Sequence, residues 1–284
     1  MAVDAAIELR DVDKTYGAGP SRREVVKDCS LVIERDKFTV MIGPSGVGKS
    51  TLLRLVAGFE KPTRGKILCG GKPVEGPGRD RLVMFQETAL FPWMTTGENA
   101  LYGPKARGEC TPAVRSAVDA LLERVGLTAF RARYPSQLSG GMQRRAELAR
   151  ALANKPAVMI LDEPFRGLDA MTKKLMLEYY ATLREESPRT DFFVTTDVDE
   201  AIFLADRLIV MSHIPTRVRA VIEVDLPRPR SLTTIMSDDR TNALKMEALS
   251  LLHEEAKSSF AAGGRATADF VAAYGRRFSA RDSR

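Results

Sequence analysis

The sequence predicts an α/β fold: a core with a parallel sheet, an antiparallel β edge and an inserted helical subdomain. The antiparallel edge is indicated by alternating apolar and polar residues at 7–12 and 30–34. Helical periodicity between Thr111 and Gly126 indicates the insertion, which we place at about residues 87–155. Short, mainly apolar runs separated by helical segments indicate the parallel sheet, and they fall at 38–42, 157–161, 191–195 and 207–211.

Each element has its own local justification. Residues 66–69 and 81–85 predict two further strands after the first apolar run. In the insertion, Thr111 is suited to cap a helix, Pro112 suits its first turn and Gly126 suits its end. The apolar residues of that helix fall on one face, namely Val114, Val118, Leu121, Leu122 and Val125.

Length and composition describe an ordinary globular protein. The 284 residues are enough for one large domain or two small ones, with 44% hydrophobic and 28% charged residues. The net charge of +6 is compatible with nucleotides, an anionic membrane surface or nucleic acid, and it selects none of them. The three cysteines form no Cys-x-x-Cys pair, which favours a reducing cytosol over a disulfide scaffold or zinc site.

Targeting signals are not apparent in the sequence. Asp4 and Glu8 stand where a secretory signal would be basic and then apolar. No stretch approaches the roughly 20 apolar residues that cross a bilayer. We therefore expect a soluble chain, or one that reaches a membrane through a partner.

A phosphate-binding loop follows the first apolar run. The pattern G-x-x-x-x-G-K-[ST] is matched by Gly43, Pro44, Ser45, Gly46, Val47, Gly48, Lys49, Ser50 and Thr51. A strand at 38–42 precedes the loop and a helix at 51–57 follows it, which is the context that the motif requires. Its backbone N–H groups and the helix N-terminus would bind phosphate oxygens. We expect a P-loop NTPase core, with Lys49 at the β- and γ-phosphates and Ser50 on Mg²⁺.

An acidic pair ends the apolar run at 157–161. Asp162 would hold Mg²⁺ directly or through water, and Glu163 would accept a proton from the attacking water or orient it. Acidic pairs after strands also occur as simple turns or helix caps. The upstream phosphate loop favours the catalytic interpretation.

A third motif precedes that strand. Ser139, Gly140 and Gly141 open a helix whose free N–H groups would face an anion. Taken alone, Ser-Gly-Gly is more often an ordinary turn. The order of the three motifs, however, resembles that of the nucleotide-binding subunit of an ABC transporter, and the likeness extends from about Tyr16 to Asp206.

The resemblance implies roles for further residues. Tyr16 resembles the aromatic residue that stacks on adenine, although a lone tyrosine can also be core packing. Gln86 resembles the glutamine that senses Mg²⁺ and faces the membrane partner, and Asp169 the aspartate that crosses the dimer interface. Two ATP molecules with Mg²⁺ would lie between two head-to-tail subunits, so that the loop of one subunit faces Ser139 of the other. The second subunit could be identical or different.

A finer resemblance concerns residues 90–95, Leu-Phe-Pro-Trp-Met-Thr, and residues 195–201. Both segments are similar to the corresponding segments in importers for nitrate, sulfonates and taurine. This implies uptake of a small anion or organic acid through a membrane permease, and indirectly a substrate-binding protein. The chain would lie on the cytoplasmic face of a bacterial-type membrane, with no nucleic acid as partner. The segment Phe91-Pro92-Trp93 would receive a short permease helix, or it is ordinary hydrophobic packing.

The sequence departs from the family at position 196. Thr196 stands where the family has a histidine that contacts the γ-phosphate and helps to position Glu163 and the water. Threonine is shorter and never cationic, so ATP binding should survive while hydrolysis is weakened, with Thr196 as its remaining donor. The substitution is engineered, or it needs an intact partner subunit, or the natural site tolerates it. A non-catalytic, ATP-gated module and an ABC protein acting on nucleic acid are the rival functions.

Lesser departures are Arg166-Gly167, where the family often has Gly-Ala, and Glu147, where it usually has a small apolar residue. They would tune partner choice or lie on solvated surface.

We place an ABC ATPase domain at 1–226 and a C-terminal helical extension at 227–284. In the extension, Asp238 or Asp239 would cap one helix and Gly263-Gly264 would end it, and a second short helix with Phe270, Val271 and Tyr274 would precede a basic end. Four basic residues of this end would contact anionic lipid or simply be solvated, namely Arg276, Arg277, Arg281 and Arg284.

Overall fold

The computed structural model describes residues 4–235 and 238–258. Its strands are β1 (Ala5–Tyr16), β2 (Arg23–Glu34), β3 (Phe38–Ile42), β4 (Arg64–Cys69), β5 (Lys72–Pro73), β6 (Arg81–Met84), β7 (Val158–Asp162), β8 (Thr190–Thr195), β9 (Arg207–Met211) and β10 (Val218–Glu223). Its helices are α1 (Lys49–Ala57), α2 (Thr96–Ala106), α3 (Pro112–Arg124), α4 (Gly140–Ala153), α5 (Ala170–Glu186), α6 (Val198–Leu204) and α7 (Leu232–Ile235). Residues 239–258 are also helical, and we call them the C-terminal helix.

The larger sheet has six strands in the order β10-β9-β3-β8-β7-β6. All its neighbours are parallel except β10, which pairs antiparallel with β9. The strand β3 is buried along its whole length, which explains its nearly continuous apolar sequence, and β8 is fully buried as well although Thr190, Asp191 and Thr195 are polar. The α/β class predicted from the sequence is confirmed.

The antiparallel strands form a sheet of their own, in the order β2-β1-β4-β5. This agrees with the antiparallel edge expected beside the nucleotide core, and a bridge between Val26 and Thr216 links β2 to the chain after β9. The long strands β1 and β2 pair with each other through several register shifts. Such bulges bend a strand and increase its twist, and β1 pairs with β4 on its other side.

Two apolar clusters cover the two faces of the parallel sheet. On one face, Met41 of β3 packs with α1, which lies between the two sheets together with apolar residues of β1 and β2. On the other face, Val40 and Ile42 pack with α4, α5 and α6. Alternate residues of a strand point to opposite faces, so a single buried strand contributes to both clusters.

The helices α2, α3 and α4 form the region between β6 and β7, and they share a third apolar cluster. Thr111 caps α3 by accepting a hydrogen bond from the N–H of Val114, and Gly126 adopts a positive φ of 65° just after that helix. Val118 and Leu122 of α3 are buried in the cluster. The helix therefore has the cap, the stop and the apolar face that its sequence predicts.

The chain after β10 is fastened to the main domain by two arginines. Arg228 forms an ion pair with Asp206, 2.8 Å away. Arg230 donates hydrogen bonds to five backbone carbonyls, namely those of Ile202, Phe203, Ala205, Val224 and Leu226. These bonds satisfy carbonyl groups at the end of α6, where the helix itself offers no partners.

The C-terminal helix begins after Asp238, whose carboxylate accepts hydrogen bonds from Thr241. Ala248 is buried, and the other apolar residues on that face, Leu244, Leu251 and Leu252, pack on the same cluster as α5 and α6. The helix and its capping aspartate agree with the sequence-based expectation. The expected break at Gly263-Gly264 and the basic residues from Arg276 onward lie outside the described residues, and the boundary at residue 226 stays a prediction.

Among residues 4–235 and 238–258, no helix combines the length and the apolar character needed to cross a membrane.

The arginine at the end of α6 should contribute measurably to stability. Arg230→Met keeps much of the side-chain volume but leaves partly buried carbonyl groups without a donor, so we expect the free energy of unfolding to fall by about 3 kcal/mol. Urea unfolding followed by circular dichroism measures it. The control Arg217→Met changes an exposed arginine, for which we expect a change within about 0.5 kcal/mol. Equal losses in both variants would contradict the assignment.

Candidate functional site

The phosphate loop lies between the end of β3 and the start of α1. Gly46 and Gly48 have positive φ values of 78° and 101°, a region that favours glycine. A Cβ at Gly48 would also lie 2.9 Å from a methyl group of Val25. Ser45 and Gly46 are exposed, whereas Val47 is buried. The loop therefore turns its backbone outward at the point where α1 begins and offers its free N–H groups to an anion.

Lys49 is the first residue of α1, and its side chain returns to the loop. Its Nζ donates to the carbonyl oxygens of Gly43 and Pro44, each 2.8 Å away. Burial lowers the pKa of this ammonium, while the carboxylates of Glu163 and Asp162 act to raise it. The lysine thus carries its charge beside the acidic pair, as a phosphate-binding cation must.

Asp162 and Ser50 come together from different elements. Asp162 ends β7, Ser50 lies in the first turn of α1, and the Ser50 hydroxyl is close enough to stabilise the Asp162 carboxylate. Burial raises the pKa of Asp162, and the Ser50 hydroxyl and Lys49 act to lower it. A hydroxyl and a carboxylate are oxygen ligands of the kind that Mg²⁺ prefers, so these two residues fit that ion.

No cluster of three or more histidine, cysteine or acidic side chains suited to a metal occurs in the described parts of the chain. Mg²⁺ is usually held by one or two protein groups together with substrate phosphates and water. The absence of a larger cluster therefore does not conflict with a site made of Ser50 and Asp162. Gln86 is the third residue that the sequence assigns to the ion.

Glu163 is held in an unusual backbone conformation directly after β7. Its φ is +42°, which is rare for a residue other than glycine, and its N–H donates to the carbonyl of Val194 at 2.8 Å. Its carboxylate forms an ion pair with Arg166, with 3.1 Å between Nη1 and Oε2. Strained backbone of this kind persists where the surrounding structure fixes it, here through the hydrogen bond to β8.

Gln86 and Thr196 follow β6 and β8, the two strands that flank β7, and lie near the same edge of the sheet. Gln86 comes two residues after β6, in which Met84 pairs with Leu161 of β7, and it is exposed. Thr196 comes directly after β8 and is exposed as well. The parallel arrangement thus brings both residues to the end of the sheet that carries Asp162 and Glu163.

The segment after β8 is braced by a buried network. The Thr195 hydroxyl donates to Glu200 at 2.6 Å, and Asp197 caps α6. Lys173 of α5 lies 2.7 Å from Asp197 and 2.6 Å from Glu200. Sequence reasoning missed Lys173, because nothing in its own neighbourhood indicates that α5 and α6 would meet there.

Tyr16 ends β1 beside the start of α1. Its hydroxyl donates to Glu60 at 2.6 Å and is also hydrogen-bonded to the side chain of Thr51. The Nζ of Lys14 lies 4.9 Å from the centre of the ring. The aromatic ring is partly exposed next to the residue that closes the phosphate motif, a position suited to a nucleotide base.

The residues Ser139, Gly140 and Gly141 occupy a different part of the chain's surface. Ser139 caps α4 by accepting from the N–H of Met142, and a Cβ at Gly141 would lie 2.8 Å from a methyl group of Thr172. Asp169 caps α5 by accepting from Thr172, and these hydrogen bonds lower its pKa. This motif therefore packs closely against the start of α5.

Within residues 4–235 and 238–258, no hydrogen bond or ion pair joins Ser139, Gly140 or Gly141 to the phosphate loop. The structure thus brings Lys49, Ser50, Asp162 and Glu163 together in one chain and leaves the serine-glycine motif outside that group. Two phosphate-facing elements that do not meet in one subunit are consistent with a site completed by a second subunit.

Glu147 ties the loop after β6 to α4. Its side chain is 2% exposed, accepts from the N–H of Ala89 at 3.2 Å and forms an ion pair with Arg144 at 2.7 Å. Arg144 also donates to the carbonyl of Phe85. Burial raises the pKa of Glu147, and Arg144 acts to lower it. Glu147 is therefore not solvated surface, which corrects one of the two interpretations drawn from the sequence.

A groove of about 430 Å³ lies beside this ion pair. Phe91, Tyr102, Glu147 and Arg150 contribute to its lining. The rings of Phe91 and Tyr102 are 4.5 Å apart, and the nearby Trp93 side chain is 69% exposed. Of the two interpretations of Phe91-Pro92-Trp93, ordinary packing accounts for Phe91 and leaves Trp93 available to a partner.

Comparison with known proteins gives a consistent result. Residues 26–166 match the family model described as ABC transporter. The chain is 41% identical over 245 residues to the nitrate import ATP-binding protein NrtD of Synechococcus elongatus, covering 85% of this chain and 89% of that protein. It is 40% identical over 229 residues to the aliphatic sulfonates import ATP-binding protein SsuB of Bacillus licheniformis, covering 81% and 89%.

A solved structure has the same fold. It is a dimeric ATP-binding cassette in a post-hydrolysis state, bound to ADP and Pi, with a TM-score of 0.66 and 29% sequence identity. The match covers 78% of this chain and 100% of the solved chain.

The buried glutamate on α4 generates a stability prediction. Glu147→Ala leaves Arg144 buried without its carboxylate, so we expect the free energy of unfolding to fall by about 3 kcal/mol. Glu147→Gln keeps an acceptor for the N–H of Ala89 and should lose less. Chemical denaturation measures both. Glu123→Ala, an exposed change on α3, is the control, and a similar loss there would show that the ion pair is not responsible.

Proposed function

The chain belongs to the ABC transporter family, and we propose that it is the ATP-binding subunit of an importer, coupling ATP hydrolysis to uptake of a small anion or organic acid. The observation that carries the proposal is the convergence of Lys49, Ser50, Asp162 and Glu163 at one edge of the parallel sheet. This combination of cation, metal ligands and carboxylate is suited to cleaving a nucleoside triphosphate.

Each residue has a role in the proposed reaction. Lys49 and the loop amides bind the phosphates of ATP. Ser50, Asp162 and Gln86 would hold Mg²⁺, which would neutralise charge on the phosphate oxygens when bound. Glu163 would orient the attacking water and accept its proton, and its backbone is fixed by the hydrogen bond from its N–H to Val194.

Two subunits are proposed to enclose the nucleotides. Ser139 and the N-terminus of α4 would face the phosphates held by the loop of the partner subunit, with Asp169 at the interface between them. The separation of Ser139 from the phosphate loop within one chain supports this arrangement, as does the dimeric state of the similar cassette bound to ADP and Pi. Whether the two subunits are identical is open.

A membrane permease is the proposed second partner. A short helix of the permease would lie in the groove lined by Phe91, Tyr102 and Arg150, with Trp93 at its rim. An aromatic groove with a buried ion pair suits the apolar face of such a helix. The chain would then lie on the cytoplasmic face of the membrane, with residues 1–226 as the ATPase domain and 227–284 as an extension.

The proposed cargo rests on the relatives. Two similar proteins are named for import of nitrate and of aliphatic sulfonates, and both cargoes are small anions. A substrate-binding protein would deliver such an anion to the permease. Vesicles containing the chain and its permease should therefore take up an anion on addition of ATP.

ATP hydrolysis by the purified chain is the central test. Glu163→Gln removes the proton acceptor but not the phosphate-binding groups, so turnover should fall by at least about 10²-fold while ATP binding persists. Lys49→Ala should weaken ATP binding itself. Phosphate release and equilibrium binding of ATP measure these effects, with the exposed change Glu123→Gln as control. A chain that binds ATP without turnover would instead be a non-catalytic, ATP-gated module.

The replaced histidine gives a second prediction. Thr196 offers a hydroxyl but no cation near the terminal phosphate, so Thr196→His should raise turnover by about tenfold. Thr196→Ser keeps the hydroxyl and is the matched control, for which no gain is expected. If turnover by Thr196→His equals that of the unaltered chain, threonine does not weaken hydrolysis.

A further inference from the structure

Arg166 places a second positive charge beside the proposed catalytic carboxylate. Its Nη1 lies 3.1 Å from Oε2 of Glu163, and its side chain is 60% exposed whereas that of Glu163 is 13% exposed. Lys49 is the other cation near this carboxylate. The arginine is thus the more exposed member of this ion pair.

The turn that carries Arg166 is rigid. The N–H of Arg166 donates to the carbonyl of Glu163 at 3.1 Å, Pro164 fixes one backbone angle between them, and Phe165 is buried in the core. The N–H of Glu163 is fixed in turn to Val194. Both members of the ion pair therefore lie on a turn that follows β7 and is hydrogen-bonded to β8.

The electrostatic environment places Arg166 close to the phosphate-binding lysine. Burial lowers the pKa of Lys49, the carboxylates of Glu163 and Asp162 oppose this shift, and the charge of Arg166 adds to the lowering. Two cations and two carboxylates thus form a balanced group. A bound triphosphate would add several negative charges to this group. An exposed guanidinium is the side chain best suited to neutralise them.

Other cations do not replace the missing imidazole. Thr196 is uncharged, and His213 lies 2.7 Å from Glu255 of the C-terminal helix. His253 is exposed on that same helix. Lys173 is engaged with Asp197 and Glu200. Arg166 is the cation in direct contact with Glu163.

We propose that Arg166 bridges the Glu163 carboxylate and the terminal phosphate of ATP, so that it supplies the positive charge that Thr196 cannot. The proposal rests on the proposed function of the site. A guanidinium has five N–H donors in one plane, enough to keep its bond to Glu163 while others bind phosphate oxygens. It would therefore orient the carboxylate and distinguish ATP from ADP, which lacks the terminal phosphate.

The test compares binding of a non-hydrolysable ATP analogue and of ADP, both with Mg²⁺, to the full chain. Arg166→Ala should weaken binding of the ATP analogue by about tenfold and change ADP affinity by less than about twofold. Arg166→Lys keeps a charge but loses the planar donors and should fall between. Arg115→Ala, an exposed change on α3, should alter neither affinity.

Turnover provides an independent readout through rescue. Arg166→Ala should lower ATP hydrolysis by about 10²-fold. Thr196→His should then raise turnover by about 10²-fold in the Arg166→Ala chain, against about tenfold in the otherwise unaltered chain. Such dependence of one substitution on the other is expected only if both side chains serve the same phosphate.

Several outcomes would overturn the proposal. An unchanged ratio of ATP-analogue to ADP affinity in Arg166→Ala is one, whether or not the unaltered chain hydrolyses ATP. Faster turnover by Arg166→Ala would show that the ion pair inhibits ATP hydrolysis. An equal loss of affinity for both nucleotides, together with a lower melting temperature, would show that the ion pair of Arg166 and Glu163 is a structural contact. An unaltered chain that binds neither nucleotide would reject the proposed function itself.

Discussion

Parallel pairing of β6, β7, β8 and β3 is the constraint on which the site depends. Neighbouring parallel strands end at the same edge of a sheet. Residues far apart in sequence are therefore brought together there by the strand pairing, without direct bonds between their side chains. The hydrogen bond from Glu163 to Val194 fixes the ends of β7 and β8 relative to each other. Around this edge, α1 contributes Lys49 and Ser50 because its first turn begins where β3 stops.

Much of this arrangement follows from sequence patterns. The runs at 38–42 and 207–211 have the bounds of β3 and β9, because strands buried on both faces have continuous apolar sequences. The sequence does not indicate β10, because the exposed Val221 breaks the alternation of apolar and polar residues that is typical of an edge strand. Bulged β1 and β2 extend well beyond the alternating cores that the sequence revealed.

The site divides in the same way. Motif residues such as Lys49 and Asp162 could be predicted, since their spacing is dictated by phosphate and metal chemistry. Ion pairs between helices could not, because Lys173 meets Asp197 and Glu200 only where α5 packs against α6. Glu147 in particular looked like a variable surface position, yet it is buried and satisfies both a backbone amide and an arginine. Only the tertiary contact distinguishes the two cases.

The short helix α6 is held at both of its ends by different parts of the chain. Lys173 of α5 binds the acidic groups of its first turn, and Arg230 binds the carbonyls at its last. Seven helical residues span only about 10 Å. The helix α6 therefore forms a short, rigid connection between the edge of the sheet that carries Thr196 and the linker to the C-terminal helix. Any event that breaks the hydrogen bonds of Arg230 would therefore displace, through this one short helix, the segment that carries Thr196.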